Sequence, residues 1–383
     1  GKTDWSQAYY NNKGTSKFGT YPYDISGDSI VLESDFSLWA EDANIVTDMS
    51  GMFIQCYNWD GSGVQLWKTD SLINSSFMFQ DVTPFNQDLS GWTTDNVTTT
   101  ESMFQRCLNY TGQGLENWNV SKLTNAKNMF NMSNTLNTVF NGDLSSWNVS
   151  NVINFENMFR NCSNFDQDLS GWNTGNSVNF ISMFEDCSNI DFDCSNWDTK
   201  NVINMNKMFK GCSNFNQDLS QWNIQSLINA DEMLNDASIN IFNYTDLLVG
   251  WANNMLIQTD VSFGANNCYY LYEGIAPHNK LRNDYNWQIY DLGPYPPIPL
   301  SMQLTNWSGM FIDNIGQSQN DISENYPNPI PGLELYPNSS FYHYDASGVT
   351  DMSGMFLDCS NIIGYGIGEW NVKTVTNFDN MLN

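Results

Sequence analysis

The sequence predicts an α/β repeat solenoid with one short strand and one short helical turn per 25–26-residue coil, closed by caps. Three observations carry that prediction. Phe159, Phe184 and Phe209 stand 25 residues apart, and so do Trp172, Trp197 and Trp222. Met-Phe or Met-Leu pairs recur at Met52, Met78, Met103, Met129, Met158, Met183, Met208 and Met233. The interval from Trp to the Phe of the next Met-Phe pair is always 12, from Trp67–Phe79 through Trp197–Phe209, while that Phe to the next Trp runs from 13 (Phe79–Trp92) to 17 (Phe130–Trp147). A fixed period in this range marks units that bury their apolar faces only by stacking on neighbours. One half of each coil is rigid, and insertions fall in the other.

Residues 1–38 lack the repeat but alternate aromatic and polar residues around glycines, as a strand-rich N-terminal cap does. Residues 39–242 form the main array. In its rigid half, NVINFENMF (151–159), the apolar Val152, Phe155, Met158 and Phe159 follow a helical spacing. The next half, CSNFDQDLSGW (162–172), fits a short strand between turns.

The period breaks at 243–293, which reads as a C-terminal cap. Leu247, Leu248, Trp251 and Leu256 predict a helix, residues 275–285 another, and 261–263 and 287–290 strands. PYPPIPL (294–300) is a semi-rigid proline-rich linker. Repeat language returns in 301–383 as a second, partial array, with a Pro/Asn-rich excursion over 313–343. The chain starts at Gly1, as a processed or trimmed chain does, and stops at Asn383 within a repeat, so the expectation is that it continues or that another surface covers that coil.

Composition narrows the function. Of 383 residues 41% are hydrophobic and 14% aromatic, enough for a continuous core. Forty-two acidic against 14 basic residues give a formal charge of −28, which disfavours a nucleic-acid partner and docking on anionic lipid. No run of 18 apolar residues exists, so no direct membrane insertion is expected. The only histidines, His278 and His343, lie in unrelated contexts and outside any GxSxG or HExxH pattern, so no catalytic residues are assigned and a non-enzymatic protein is expected.

Five sets of residues are candidates for chemistry. Cys56, Cys107, Cys162, Cys187, Cys212 and Cys359 follow the repeat Phe by three, in a slot that holds Val82 and Ala237 elsewhere. Cys194 takes the slot of Leu89, Leu169 and Leu219. They read as buried small apolar residues, with a disulfide between stacked neighbours left open. Asp168, Asp193 and Asp218, with Asp88 in the matching slot, form an acidic column. Either each carboxylate accepts turn N–H bonds and faces water, or the column holds calcium, the one cofactor considered.

Asn columns at 148, 173 and 223 and at 154, 179, 204 and 229 read as side chains satisfying backbone groups at coil corners. Ten sequons permit glycosylation in a secreted chain, with Asn338 first, then Asn306, Asn243, Asn96 and Asn74. Aromatics outside the ladders, Tyr269, Tyr270, Tyr272, Tyr342 and Tyr344, are candidates for a glycan platform.

The stretch CSNFNQDLSQWNIQSLINADEML (212–234), with its variants at 79–104 and 159–184, resembles the repeat of the BspA-like leucine-rich-repeat surface proteins. These include the domain of unknown function first noted in mycoplasma lipoproteins. The resemblance covers about 39–240 and 301–383, and 243–293 is similar to the unit that closes such arrays in bacterial surface proteins. It implies a right-handed, leucine-rich-repeat-like solenoid, extracellular on a cell or virion surface, serving adhesion or surface architecture. It offers no catalytic residues. The functional expectation is a structural or adhesive protein acting through protein–protein contacts, with self-association into head-to-tail filaments through 348–383. The alternative is a carbohydrate-binding surface module, and other surface proteins or glycans are the remaining partner classes.

Overall fold

The computed structural model describes residues 3–6, 36, 37, 40–132, 138–295, 350–353, 373 and 375–379. The proline-rich linker beyond 295 and most of the N-terminal cap and second array lie outside the described residues. Residues 1–293 and 294–383 form two compact units.

In the first unit successive coils are joined by a parallel ladder through Asp4, Asp48, Asn74, Thr99, Asn125, Asn154, Asn179, Asn204 and Asn229. The ladder then becomes a small sheet of three parallel strands, β1 (Asn229–Ala230), β2 (Ser262–Gly264) and β3 (Gln288–Tyr290), in that order. Two α-helices are described, α1 (Ile241–Ala252) and α2 (Ile275–Asp284). Both occupy the segments that apolar spacing predicts, except that Leu256 lies beyond α1 and is exposed.

The two halves of each coil differ from their sequence reading. The ladder runs through 151–161, the stretch with helical spacing, whereas 162–172 makes no bridge. The reason is an alternation along the backbone. The N–H groups of Phe155, Asn157, Phe159 and Asn161 donate to Asn179, Ile181, Met183 and Glu185 of the next coil at 2.8–3.0 Å. Those of Met158, Arg160 and Cys162 close turns onto Phe155, Asn157 and Phe159 at 2.9–3.2 Å. A helix would turn every donor inward and a strand would turn alternate donors to both neighbours; here half stay at home and half reach across.

That geometry requires left-handed backbone at Asn157 (φ 55°) and Asn161 (φ 63°), and again at Ser182, Asp186, Lys207 and Gly211. Asn, Asp and Gly tolerate this region best. The ladder also explains the constant Trp-to-Phe interval: an inserted residue there would break bonds to two neighbouring coils.

The core is two stacks of rings. Phe53, Phe79, Phe104, Phe130, Phe159, Phe184 and Phe209 follow one another at centroid distances of 5.4–5.8 Å, nearly parallel. Trp92, Trp118 and Trp147 stack at 6.2–6.3 Å, as do Trp172 and Trp197. Offset stacking of this kind adds about 0.5–1.5 kcal/mol per pair beyond burial. The repeat Trp residues from Trp67 to Trp222 also discharge their buried N–H on a main-chain carbonyl of the preceding coil: Trp172 on Leu144 at 3.0 Å, Trp197 on Leu169 at 3.1 Å, Trp222 on Cys194 at 2.9 Å.

Trp251 of α1 makes the same bond to Leu219 at 3.0 Å. Helix α1 is therefore a further coil of the stack, in which an α-helix replaces the loose half.

Candidate functional site

The repeated Asp, Cys and Asn candidates among the described residues have structural uses. Asp168, Asp193 and Asp218 each accept the backbone N–H two residues on, from Ser170, Ser195 and Ser220, at 2.8–2.9 Å. The Ser170 N–H holds the Asp168 carboxyl below its ordinary value, with Asp193 opposing. The Ser195 hydroxyl, then its N–H, does the same for Asp193. Among the described residues no group of three or more His, Cys, Asp or Glu comes together in a way that could hold a metal ion.

The seven described cysteines are buried. Cys107, Cys162, Cys187 and Cys212 donate their thiols to the carbonyls of Phe79, Phe130, Phe159 and Phe184 at 2.8–3.1 Å. Burial pushes the Cys162, Cys187 and Cys212 thiols well up and Cys268 to about 12, so none forms a ready thiolate.

The Asn columns are corner pieces. Asn148, Asn173 and Asn223 accept from the N–H two residues on at 3.0–3.2 Å. The ladder residues Asn154, Asn179, Asn204 and Asn229 do the same at 2.9–3.0 Å. Sequon residues fall in the same network. The side-chain amide of Asn74 donates to Asp48 at 3.2 Å, that of Asn96 to the Asp70 carbonyl at 2.9 Å, and that of Asn243 to the Asn216 carbonyl at 2.8 Å. A sugar would have to be carried on a nitrogen that already binds the preceding coil.

Asn306, Asn338, Cys359, Tyr342 and Tyr344 lie outside the described residues. Of the remaining tyrosines, Tyr270 is buried with its ring 4.8 Å from that of His278, so it offers no platform; Tyr269 is half-buried and Tyr272 exposed.

What remains for an outside partner is a feature that helical spacing hides. The residue just before each ladder position points out of the core: Ile73, Thr98, Thr124, Ile153, Val178, Ile203 and Ile228. The isoleucines are 44%, 48%, 38% and 56% exposed, whereas the Phe, Trp and Cys positions of the described coils are buried. Thr98 and Thr124 spend their hydroxyls on the carbonyls of Ile73 and Thr98, at 3.4 and 3.0 Å, so the column is apolar in effect.

Beside it runs a groove. One stretch, about 550 Å³, lies along Thr98, Lys122, Thr124, Asn151, Ile153, Asn176 and Val178. The next, about 560 Å³, shares Asn176 and Val178 and continues along Asn201, Ile203, Ser226 and Ile228 to Gln258. Its polar wall is fixed, since the amides of Asn151, Asn176 and Asn201 donate to Ser121, Ser150 and Gly175 carbonyls at 2.7–2.8 Å. The column ends where the same position becomes Val261 and Trp287, both buried; the Trp287 N–H meets the Gln258 carbonyl at 2.8 Å.

A 25-residue recurrence of Ile, Val or Thr out of phase with the inward Val152 and Phe155 was the available signal for this column. Likewise the 29-residue step from Trp222 to Trp251, equal to that from Trp118 to Trp147, marks α1 as a coil.

An outward apolar ridge is the repeated feature that the described coils leave to solvent. Residues 27–141, 131–246 and 334–383 match the family described as "Mycoplasma protein of unknown function, DUF285", and the chain belongs to that family. No curated protein and no solved structure matches the chain. Among the described residues no helix is long and apolar enough to cross a membrane.

Proposed function

We propose that the chain is a non-enzymatic, extracellular adhesive scaffold, a leucine-rich-repeat-like solenoid of the BspA-like kind that acts through protein–protein contacts on its exposed ladder face. The observation that carries the proposal is the column Ile73–Ile228: each polar column of the coils is spent on the scaffold's own backbone, while this apolar one faces outward. An apolar face of several coils beside fixed amides is the composition of a protein-contact surface. Head-to-tail stacking into filaments is the assembly arm of the same proposal, since the rung between Asp351 and Asn377 repeats the ladder in the second unit.

Beads coated with the protein should adhere to host cells or matrix proteins, and beads carrying Ile153→Lys, Ile203→Lys and Ile228→Lys should lose that adhesion. Equal adhesion of both would sink the assignment of the face. Electron microscopy of the intact protein tests the filament arm, which a field of monomers would remove.

A further inference from the structure

We propose that the exposed column packs against the same column of a second copy of this chain, face to face and antiparallel, with Ile153 on the two-fold axis. The inference rests on the ladder face being the contact surface. Pitch selects the occupant. Hydrogen-bonded coils repeat at about 4.8 Å, whereas side chains on one face of an extended peptide repeat at about 6.7 Å and helical turns at about 5.4 Å. Either of those slips out of register over seven coils. A second copy has the same pitch by construction, and its β-branched residues can interdigitate along the whole column as in a dry zipper. A closed two-fold contact also uses one patch twice, so no further surface is needed.

Charge selects the direction. Lys122 lies three residues before its ladder position and Lys127 two after its own, on opposite sides of the column. With the two stacks parallel, each Lys122 would meet the Lys127 of the second copy, a like-charge contact. With the stacks antiparallel about Ile153, Lys122 meets the second copy's Asn176 and Lys127 its Ile181. Glu156 then meets itself at the axis, but each Glu156 already holds Lys127 at 2.9 Å.

The ends agree with this direction. The segment leading into β2 carries Met255, 99% exposed, and Leu256, 63% exposed. In the antiparallel register its coil lies opposite the coil of Thr47, where Ile45 is 46% exposed. The apolar protrusion of one end meets the bare apolar position of the other.

Sedimentation velocity of the full chain across concentrations should show a monomer–dimer equilibrium, and Ile153→Lys with Ile203→Lys should weaken it at least about tenfold, with an unchanged melting temperature at dilutions where the parent is monomeric. A short bis-maleimide linker should join Ile153→Cys to itself and join Ile73→Cys to Ile228→Cys in a mixture, and should leave Ile73→Cys alone unjoined; the parent protein, treated alike, is the control for native thiols. A parent that stays monomeric throughout overturns the proposal, and so does cross-linking of Ile73→Cys to itself in place of the mixture. Loss of bead adhesion in the lysine variants of a monomeric parent would overturn this pairing and leave the adhesive reading standing.

Discussion

Residues 40–240 and 241–293 both have to cover an open coil, and they do it by different means. In the repeats every bond is one of a column: ring on ring, indole N–H on the carbonyl before it, Asx side chain on the N–H two residues on. In the closing segment the polar contacts are single. Tyr244 donates its hydroxyl to Asp291 at 2.6 Å, Gly293 donates its N–H to the other carboxylate oxygen at 3.0 Å, and His278 Nε2 lies 3.4 Å from Asp291, all against the Tyr270 ring. Burial raises the Asp291 carboxyl, but His278 and the Tyr244 hydroxyl outweigh it and hold the group below its ordinary value. A column tolerates variation at one rung because neighbours share the load; a lone cluster does not.

The comparison can be broken at measurable points. Phe184→Ala removes a ring stacked on both Phe159 and Phe209 and leaves a cavity in the middle of the stack. It should cost about 3–5 kcal/mol in urea unfolding, and a loss under about 1 kcal/mol would mean that the coils relax around the gap. Asp291→Asn cannot serve Tyr244, Gly293 and His278 together and should cost about 1–3 kcal/mol, read as lost amide protection in α2 and β3 before the repeats. Equal loss of protection along the whole unit would show that the closing segment is no separate cooperative element.

Asn179→Ala deletes one rung, the bonds to the Ile181 N–H and to Glu156, and should cost only about 1 kcal/mol.

Acid acts on the repeats as a set. Asp143 and Asp193 are held down mainly by the hydroxyls of Ser145 and Ser195, and Asp168 by the Ser170 N–H. Their folded values lie below the unfolded ones, so their contribution is complete above about pH 4 and fades as pH falls through the folded values. The melting temperature should hold from neutrality to that point and then decline; a decline beginning at pH 6 would show that these carboxylates do not set the acid limit. The smallest effect is expected from chelation. With each carboxylate of the Asp168 column bound to its own turn, removal of calcium should leave the melting temperature unchanged, and a drop would restore the metal reading.

Much of this molecule was legible because it is periodic. The core phase, the Cys slot shared with Val and Ala, the Asn corners and the two helices of 241–293 all follow from recurrence or apolar spacing. Which half of the coil bears the ladder was not legible. Val152, Phe155, Met158 and Phe159 have helical spacing, yet left-handed residues at 157 and 161 turn alternate donors to the next coil, and single-sequence spacing carries no sign of φ.

The sequence by itself determined the repeat, the register of its stacked rings and the residue types at its corners, because a period of 25 places like beside like whatever path the chain takes between. Only the tertiary structure decided which repeated position faces outward. Ile153 and Val152 are adjacent and equally apolar, and what separates them is the ladder, which turns one onto the Trp and Phe stacks and leaves the other on the surface.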